Sequence, residues 1–220
     1  MKLYIDDGNI SKITELFKLG VFSGITTNPT ILRRSGRNPV ELIKELLSKF
    51  SGDLFVQCVS TDVESIVKEG TKLFELDPER IKLKVTFSQF GLKALAEFNR
   101  LKLPVTMTGL FSVPQVLLCC EGGADYAAPY VSRMENLGID LSEVEKMQKV
   151  ITNGSYSTKL IVASFKTMTQ ISRMAEMPIH SMTLSTLMCD EIFEHCGTLK
   201  AIEGFDADWQ AIENQEWVFD

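Results

Sequence analysis

Short runs of β-forming residues alternate with helical stretches from one end of the chain to the other. This alternation constrains the fold more than any other feature. Several runs are apolar enough to be buried on both faces, as parallel strands usually are. Eight strand–helix units in 220 residues predict a single (β/α)8-barrel (TIM-barrel) domain over residues 1–220. The eight runs are Leu3–Asp6, Phe22–Thr26, Leu54–Val59, Ile81–Thr86, Val105–Thr108, Tyr126–Ala128, Leu160–Ser164 and Ser181–Leu184.

The chain continues beyond its eighth strand with more helix than a barrel needs. Met188–Cys196 is predicted to form a helix, and a further helix is predicted at about residues 205–217. This additional C-terminal helix contains Trp209 and Trp217, which are large side chains of the kind that anchor interfaces. We expect it to cover the barrel or to pack on a neighbouring subunit.

The chain has no feature of a nucleic-acid-binding or membrane protein. Its formal net charge is −6, whereas a nucleic-acid binder normally carries a basic stripe. No run of about 18 apolar residues occurs. The residues that follow Met1 do not form the apolar segment of a signal peptide. We therefore expect a cytoplasmic protein with neither nucleic-acid nor membrane partners.

The cysteines and histidines favour neither disulfides nor a metal site. The five cysteines have no framework spacing, and an odd number is typical of free thiols in a reducing compartment. Cys119 and Cys120 lie in an apolar helical stretch and are predicted to be small core residues. The two histidines are His180 and His195, and the cysteines near His195 do not have the spacing of a zinc site.

Lys84 is the residue whose position most strongly indicates chemistry. In a barrel of this kind the active site lies at the carboxyl ends of the strands. Lys84 stands late in the apolar run Ile81–Thr86. Burial there would disfavour the ammonium form and lower the pKa of the lysine, leaving the neutral amine that attacks a ketone. A lysine considered alone more often extends from a strand end to solvent, but polar residues at the other strand ends favour the chemical interpretation.

Polar side chains follow most of the other strands at the same end. Asp6 ends the first run and is a candidate proton relay, although a helix N-cap is an equally good interpretation. A guanidinium follows strand six, where it suits bidentate capture of phosphate, and an ammonium follows strand seven, near the common phosphate site of such barrels. The candidates are Asp6, Thr26, Thr27, Asn28, Gln57, Lys84, Thr108, Tyr130, Arg133, Ser164 and Lys166.

The segments that carry these residues resemble the small transaldolase family and, within it, the fructose-6-phosphate aldolase-like branch. The resemblance extends over essentially the whole chain and is specific because several segments match together. It implies a (β/α)8 barrel and a lysine Schiff base, with neither a metal nor an organic cofactor. The matching segments are Gly24–Thr30, Lys84 on the fourth strand, Ala128–Arg133 and Ala163–Lys166.

The resemblance implies a catalytic role for five of the candidates. Lys84 would form the Schiff base with the substrate ketone. Asp6 would relay protons as the carbinolamine collapses to the imine. Gln57, Thr108 and Tyr130 would position the water that takes part in proton transfer.

The other candidates would bind the substrate, which the resemblance implies is a small sugar phosphate. Thr26 and Asn28 belong to the segment after strand two, where Asn28 would hydrogen-bond the dihydroxyacetone portion. Arg133 and Ser164 would hold the phosphate, with Lys166 a weaker candidate. Members of the branch tend to form decamers of two pentameric rings, so the resemblance also implies a homo-oligomer.

Three positions depart from the pattern usual in the family. Asp7 follows Asp6 where relatives usually have threonine, and its carboxylate is expected to raise the pKa of Asp6 by like-charge repulsion. Thr86 stands where relatives usually have proline, so the loop after strand four is expected to differ. Lys82 occupies a position that is usually apolar, shares a face with Lys84 and is predicted to reach the bottom of the barrel.

Gln57 and Tyr130 bear on which reaction the chain catalyses. Transaldolases, which transfer a dihydroxyacetone unit between sugar phosphates, typically carry glutamate and phenylalanine there. The Gln/Tyr pair is that of aldolases and favours cleavage or formation of fructose 6-phosphate from dihydroxyacetone and glyceraldehyde 3-phosphate. Transaldolase activity on sedoheptulose 7-phosphate and glyceraldehyde 3-phosphate is the alternative. A catalytically silent barrel and deoxyribose-phosphate aldolase chemistry are disfavoured by Lys84 and its polar partners.

Overall fold

The computed structural model of the chain describes residues 1–213 and Trp217. Eight parallel strands pair in sequence order, and the eighth pairs with the first, so the sheet closes on itself. Helices connect the strands on the outside. This is the (β/α)8 barrel that the sequence predicts. Within the described residues, no helix is both long and apolar enough to cross a bilayer.

Strands and helices alternate along the chain. The strands are β1 (Lys2–Asp6), β2 (Phe22–Thr26), β3 (Asp53–Gln57), β4 (Ile81–Thr86), β5 (Val105–Leu110), β6 (Tyr126–Pro129), β7 (Lys159–Val162) and β8 (Ser181–Leu184). The helices are α1 (Ile10–Phe17), α2 (Pro29–Ser35), α3 (Pro39–Lys49), α4 (Val63–Phe74), α5 (Gln89–Arg100), α6 (Val113–Glu121), α7 (Val131–Asn136), α8 (Ser142–Asn153), α9 (Met168–Ala175), α10 (Thr186–Phe193) and α11 (Cys196–Gln210).

Two strands end earlier in the structure than the sequence predicts. β3 was predicted to reach Val59, but the Val59 N–H donates to the Glu69 carboxylate at 3.0 Å and so leaves the barrel ladder. β7 was predicted to reach Ser164, but Ser164 has a φ of 68°, in the left-handed region that ends a strand. Both differences lie at the carboxyl-end rim of the barrel, where the chain turns out of the sheet.

The core has two parts. One lies between the strands and the surrounding helices, and it includes Cys119 and Cys120, whose burial was predicted. The other fills the inside of the barrel, where Phe55 packs edge-on against Tyr4 and Tyr126 with ring centroids 5.1 Å and 5.2 Å away. These aromatic rings fill the lower half of the barrel interior.

The register of the β3–β4 pair places the two inward-facing lysines of β4 at different levels of the barrel. Lys82 pairs with Phe55 at the aromatic level, whereas Lys84 pairs with Gln57 above it. Lys82 extends downward, and its Nζ lies 3.4 Å from Asp53 Oδ1 at the start of β3. The prediction that Lys82 reaches the bottom of the barrel is therefore confirmed, and Lys84 is the lysine that faces the upper opening.

The C-terminal helices begin earlier than predicted. α10 begins at Thr186 because the Ser185 hydroxyl accepts the Met188 N–H, and it ends at Phe193 rather than Cys196. The last helix was predicted at about residues 205–217 but begins at Cys196, where the His195 ring nitrogen accepts the Gly197 N–H. It ends at Gln210; residues 214–216 of the predicted helix lie outside the described residues. No residue of α11 is buried.

Candidate active site

A cavity of about 710 Å³ opens at the carboxyl ends of the strands. Volumes in this range accommodate small organic ligands. The cavity brings together residues from all eight strand ends, which are far apart in the sequence. Eight of the predicted site residues line it, and they are Asp6, Asn28, Gln57, Lys84, Tyr130, Arg133, Ser164 and Lys166. The other three, Thr26, Thr27 and Thr108, are buried behind it. The Thr26 and Thr108 hydroxyls hydrogen-bond to lining residues, and the Thr27 carbonyl oxygen accepts from Lys84.

Lys84 lies deep in this cavity. Lys84 is 7% exposed, and its Nζ donates to the Thr27 carbonyl oxygen at 2.8 Å. Burial lowers the pKa of Lys84 below its usual value, and the Asp6 carboxylate opposes part of that shift. The lower pKa increases the fraction of neutral amine near neutral pH, which is the form that attacks a carbonyl carbon. The amine also has an access route, because Lys84 lines the open cavity.

Asp6 belongs to a chain of hydroxyl groups that links β1, β2 and β8. The Thr26 hydroxyl donates to Asp6 Oδ1 at 2.7 Å, so the Thr183 hydroxyl, 2.6 Å from Thr26 Oγ1, is the donor in the second bond. Burial raises the pKa of Asp6, whereas the charge of Lys84 and the Thr26 hydrogen bond lower it. A carboxyl group with a raised pKa is suited to give and take protons near neutral pH.

The sequence also suggested that Asp6 could cap α1 and that Asp7 raises the pKa of Asp6. Asp6 does not cap α1, because Asn9 accepts the Lys12 N–H and is the N-cap. Asp7 raises the pKa of Asp6, in the predicted direction, but its contribution is smaller than that of burial. The Asp7 carboxylate itself accepts the Gly8 N–H at 2.7 Å, the Asn9 N–H at 2.9 Å and a hydroxyl proton from Thr186.

Asn28 has a structural role and a free donor. Its Oδ1 accepts the Ile31 N–H at 3.0 Å, so Asn28 is the N-cap of α2. The Asn28 carboxamide nitrogen has no hydrogen-bond partner among the described residues and lies on the cavity wall. The cap therefore orients an amide donor that a substrate hydroxyl can use.

Tyr130 is held from three sides. Its hydroxyl lies 2.7 Å from Thr108 Oγ1, the Phe111 ring packs edge-on with centroids 6.2 Å apart, and the Arg133 guanidinium lies 4.6 Å above its ring. Burial raises the pKa of Tyr130, so its phenol is protonated at neutral pH and can donate a hydrogen bond. Tyr130 and Thr108 thus place two hydroxyl groups side by side.

Gln57 hydrogen-bonds across the β3–β4 pair. Its Nε2 donates to the Thr86 hydroxyl at 3.1 Å. Thr86 is one of the three expected departures from the family pattern, and a proline there would offer no side-chain acceptor. This bond links the ends of β3 and β4, and Gln57 lines the cavity.

Hydrogen bonds between the segments after β6 and β7 bring the predicted phosphate ligands together. The Val131 N–H donates to the Ala163 oxygen at 3.0 Å, and the Ser132 N–H donates to the Ser164 oxygen at 2.9 Å. Ser164 keeps its left-handed φ of 68° because this pairing holds it. Arg133 and Ser164 consequently line the same side of the cavity. No sequence pattern signals this conformation at Ser164.

Three further residues belong to the site although the sequence did not single them out. Thr183 completes the hydroxyl chain to Asp6, Phe111 supports the Tyr130 ring, and Arg34 lines the cavity from α2. A threonine in the buried strand Ser181–Leu184 was the one available signal for Thr183. The contacts of the other two depend on how the loops fold back over the barrel.

Fold and site together define a (β/α)8 barrel with a buried lysine beside a carboxyl group at the carboxyl ends of its strands. The chain also resembles a solved flavocytochrome b2 mutant with benzoylformate, with a TM-score of 0.55 and 14% identity, over 74% of this chain and 48% of that one. That likeness concerns the barrel fold alone.

Sequence comparison identifies the family. The profile of the Transaldolase/Fructose-6-phosphate aldolase family matches residues 3–218, and the chain belongs to this family of enzymes. A probable transaldolase of Shouchella clausii is 33% identical over 98% of this chain and 100% of its own length. Probable transaldolases of Methanococcus maripaludis and Carboxydothermus hydrogenoformans are 32% and 30% identical, over 98% and 97% of this chain and 100% of their own lengths.

Proposed function

We propose that this chain is a Schiff-base aldolase that cleaves fructose 6-phosphate to dihydroxyacetone and glyceraldehyde 3-phosphate, or forms it from them. The observation that carries the proposal is the position of Lys84, buried at the carboxyl ends of the strands beside Asp6. Family membership supports carbon–carbon bond chemistry on a ketose phosphate.

The proposed reaction begins with an imine. The Lys84 amine attacks carbon 2 of the ketose, and Asp6 gives a proton to the carbinolamine hydroxyl, which leaves as water. The carbon 3–carbon 4 bond then breaks. Its electron pair passes to the imine as an enamine, the hydroxyl on carbon 4 loses its proton, and the aldehyde departs. Protonation of the enamine at carbon 3 and hydrolysis of the imine release dihydroxyacetone and restore the lysine.

The fate of the enamine decides between release and transfer. The hydroxyl pair of Tyr130 and Thr108 supports release, because it can hold a water molecule above Lys84 for protonation and hydrolysis. Transaldolase activity is the second candidate: the names of the relatives favour it, and in it the enamine attacks an acceptor aldehyde. Supplying fructose 6-phosphate with and without erythrose 4-phosphate tests the two. Free dihydroxyacetone without acceptor supports release, whereas product that forms only with acceptor supports transfer.

Tyr130→Phe is expected to lower acceptor-free cleavage of fructose 6-phosphate and raise the ratio of transfer to cleavage. The substitution keeps the ring, with its Phe111 and Arg133 contacts, but removes the hydroxyl bonded to Thr108. Loss of a hydrogen bond to water costs about 0.5–1.5 kcal/mol, or roughly two- to tenfold in the ratio. Adding Gln57→Glu should raise the ratio further and non-additively if both residues act on one water. An unchanged ratio would assign the water to other groups.

Arg133→Ala is expected to lower kcat/KM for phosphorylated substrates by about ten- to a hundredfold, because one charge-assisted contact of about 1.5–3 kcal/mol is lost. The kcat/KM for unphosphorylated glyceraldehyde should fall much less. Arg133 also packs on Tyr130, so Arg133→Met is the control that keeps apolar contact but not charge. Equal losses with both aldehydes would make Arg133 a structural residue.

We also propose that the chain forms a homo-oligomer through α11. Leu199, Ile202 and Phe205 lie three residues apart along this helix and are 45%, 51% and 71% exposed. An unburied apolar face of this kind is typical of a subunit interface. The ring of Trp209 stacks on that of Trp217 with centroids 5.1 Å apart.

A double variant, Ile202→Glu with Phe205→Glu, is expected to reduce the molar mass in solution to that of a monomer. Two carboxylates buried in an interface would lack partners, and their desolvation opposes association. Light scattering after size exclusion measures the mass. Lys200→Glu, which adds negative charge elsewhere on the same exposed helix, should leave the mass unchanged. A double variant with the mass of the natural chain would place the interface elsewhere, or show that there is none.

A further inference from the structure

Thr183 and Thr26 bond to each other and to the candidate acid–base group rather than to the backbone. The Thr183 hydroxyl lies 2.6 Å from Thr26 Oγ1, and the Thr26 hydroxyl donates to Asp6 Oδ1 at 2.7 Å. Two other buried threonines, Thr27 and Thr158, instead donate to main-chain carbonyl oxygens at 2.9 Å and 2.7 Å. The proposed reaction uses Asp6 but leaves Thr183 without a role.

The barrel register places these two hydroxyl groups on different sides of Asp6. Thr26 on β2 pairs with Asp6 itself, whereas Thr183 on β8 pairs with Tyr4, two residues closer to the start of β1. Both threonines are buried. The hydrogen bonds therefore run from β8, below Asp6, to β2 beside it, and they join three neighbouring strands around one carboxyl group.

The direction of the bonds follows from the number of protons. A threonine hydroxyl has one proton, and an ionised carboxylate can only accept, so Thr26 gives its proton to Asp6 and Thr183 gives its proton to Thr26. Thr183 forms no other side-chain hydrogen bond with the described residues, so its hydroxyl acts on Asp6 through Thr26. Asp6 lines the cavity, and its Oδ2 accepts no hydrogen bond from the part of the chain that the structure describes. One carboxylate oxygen is thus held, and the other is available to the substrate.

We propose that Thr183 is a positioning residue for Asp6. By donating to Thr26, Thr183 holds Asp6 Oδ1 against the barrel wall, so that Oδ2 is the oxygen that exchanges protons with the substrate. Neighbouring hydroxyl groups in a hydrogen-bonded chain polarise one another, and Thr183 therefore also makes Thr26 a stronger donor to the carboxylate. The inference rests on the proposed function for the role of Asp6 as the acid–base group.

The same contacts define how the pKa of Asp6 responds to the loss of Thr183. Burial raises this pKa, whereas the charge of Lys84 and the Thr26 hydrogen bond lower it. Without the Thr183 hydroxyl the Thr26 bond to the ionised form is weaker, so the pKa of Asp6 should rise further. Such a change leaves in place the other charged and titratable groups near Asp6, which are Asp7 after β1, Arg34 of α2, Tyr130 after β6, Arg133 of α7 and Lys166 after β7.

Thr183→Val tests the proposal, because it removes the hydroxyl and keeps the shape of the side chain. The pKa of Asp6 in the ligand-free chain should rise, and kcat for cleavage or transfer should fall by roughly two- to tenfold, as expected for the loss of one hydrogen bond. Infrared difference titration measures this pKa from the carboxyl C=O band that is absent in Asp6→Asn, and it needs no turnover. Thr183→Ser keeps a hydroxyl and should return both the pKa and kcat to those of the natural chain.

Two further substitutions separate this role from a structural one. In a Thr26→Val background, Thr183→Val should raise the pKa of Asp6 no further, because Thr183 acts only through Thr26. Thr158→Val is the matched control: Thr158 is 3% exposed, as Thr183 is, but its hydroxyl donates to the Ala124 oxygen at the amino ends of the strands. Its loss should leave the pKa of Asp6 unchanged. If Thr183→Val does not fold, as judged by circular dichroism, Thr183→Ala gives the same comparison.

Several results would overturn the role of Thr183. These are a pKa of Asp6 that is unchanged or lower in Thr183→Val, an equal rise in Thr183→Ser or Thr158→Val, a further rise in the Thr26→Val background, or an unchanged kcat in an active chain. A rise of the pKa that passes these controls, in a chain that neither cleaves nor transfers fructose 6-phosphate, would retain the hydrogen-bonded chain and contradict only the proposed function.

Discussion

Lys84→Arg is expected to abolish both cleavage of fructose 6-phosphate and transfer of its dihydroxyacetone unit. The guanidinium remains protonated and has no lone pair for the carbonyl carbon, so no imine forms. Loss of a covalent nucleophile lowers kcat by roughly 10⁴- to 10⁶-fold. Product analysis by mass spectrometry under single-turnover conditions detects residual activity at that level.

Lys82→Arg is the matched control for this experiment. Lys82 lies two residues away on the same face of β4, but its Nζ contacts Asp53 at the bottom of the barrel. Arginine can keep that ion pair, so activity should stay within a few-fold of the natural chain. An active Lys84→Arg variant, or an inactive Lys82→Arg variant that is still folded by circular dichroism, would contradict the assignment of the nucleophile.

Asp6→Asn is expected to lower kcat by about 10²- to 10⁴-fold, the usual contribution of a positioned acid–base group. The variant also changes the pKa of Lys84 in a defined direction. The Asp6 carboxylate raises the pKa of Lys84 against the larger lowering by burial. Its removal should lower that pKa further, so the acidic limb of imine trapping by borohydride should move to lower pH while kcat falls.

Asp7→Asn tests whether the effects of Asp6→Asn are specific to Asp6 or follow from the loss of any negative charge nearby. Asparagine can still accept the Gly8 and Asn9 N–H groups through its oxygen, so the loop after β1 should be kept. Asp7 raises the pKa of Asp6, and its neutralisation should lower that pKa slightly. We expect a small change in kcat, within about tenfold. Equal losses in the Asp6 and Asp7 variants, with no shift of the acidic limb, would make Asp6 a structural residue.

Most of the barrel could be predicted because its strands are short apolar runs with regular spacing. The errors lie where a single residue departs from a pattern. The strand that ends before Ser164 does so because of a left-handed φ that favours glycine, and no glycine is present there. The last helix was predicted about nine residues too late, because its beginning depends on a cap by His195 and its sequence has no core-facing stripe.

Most residues of the site could be predicted from the sequence, but not all of their contacts. Polar residues at strand ends identify Lys84 and Asp6, since a parallel barrel brings those ends together. The partner of Gln57 could not be predicted, because Thr86 and Thr108 are both hydroxyl residues on neighbouring strands and only the closed barrel decides between them. Arg34 could not be singled out, because nothing in the sequence distinguishes it from any other exposed arginine on a helix.

Borohydride trapping with fructose 6-phosphate or dihydroxyacetone, followed by peptide mass spectrometry, tests the central claim most directly. The account predicts a three- or six-carbon adduct on the peptide that contains Lys84, at the lysine amine and in amounts that depend on both sugar and reductant. Fragmentation within the peptide distinguishes Lys84 from Lys82. An adduct on Lys82 or Lys166 would contradict the assignment of Lys84 as the nucleophile. The lack of an adduct on any lysine would contradict the Schiff-base mechanism proposed for this chain.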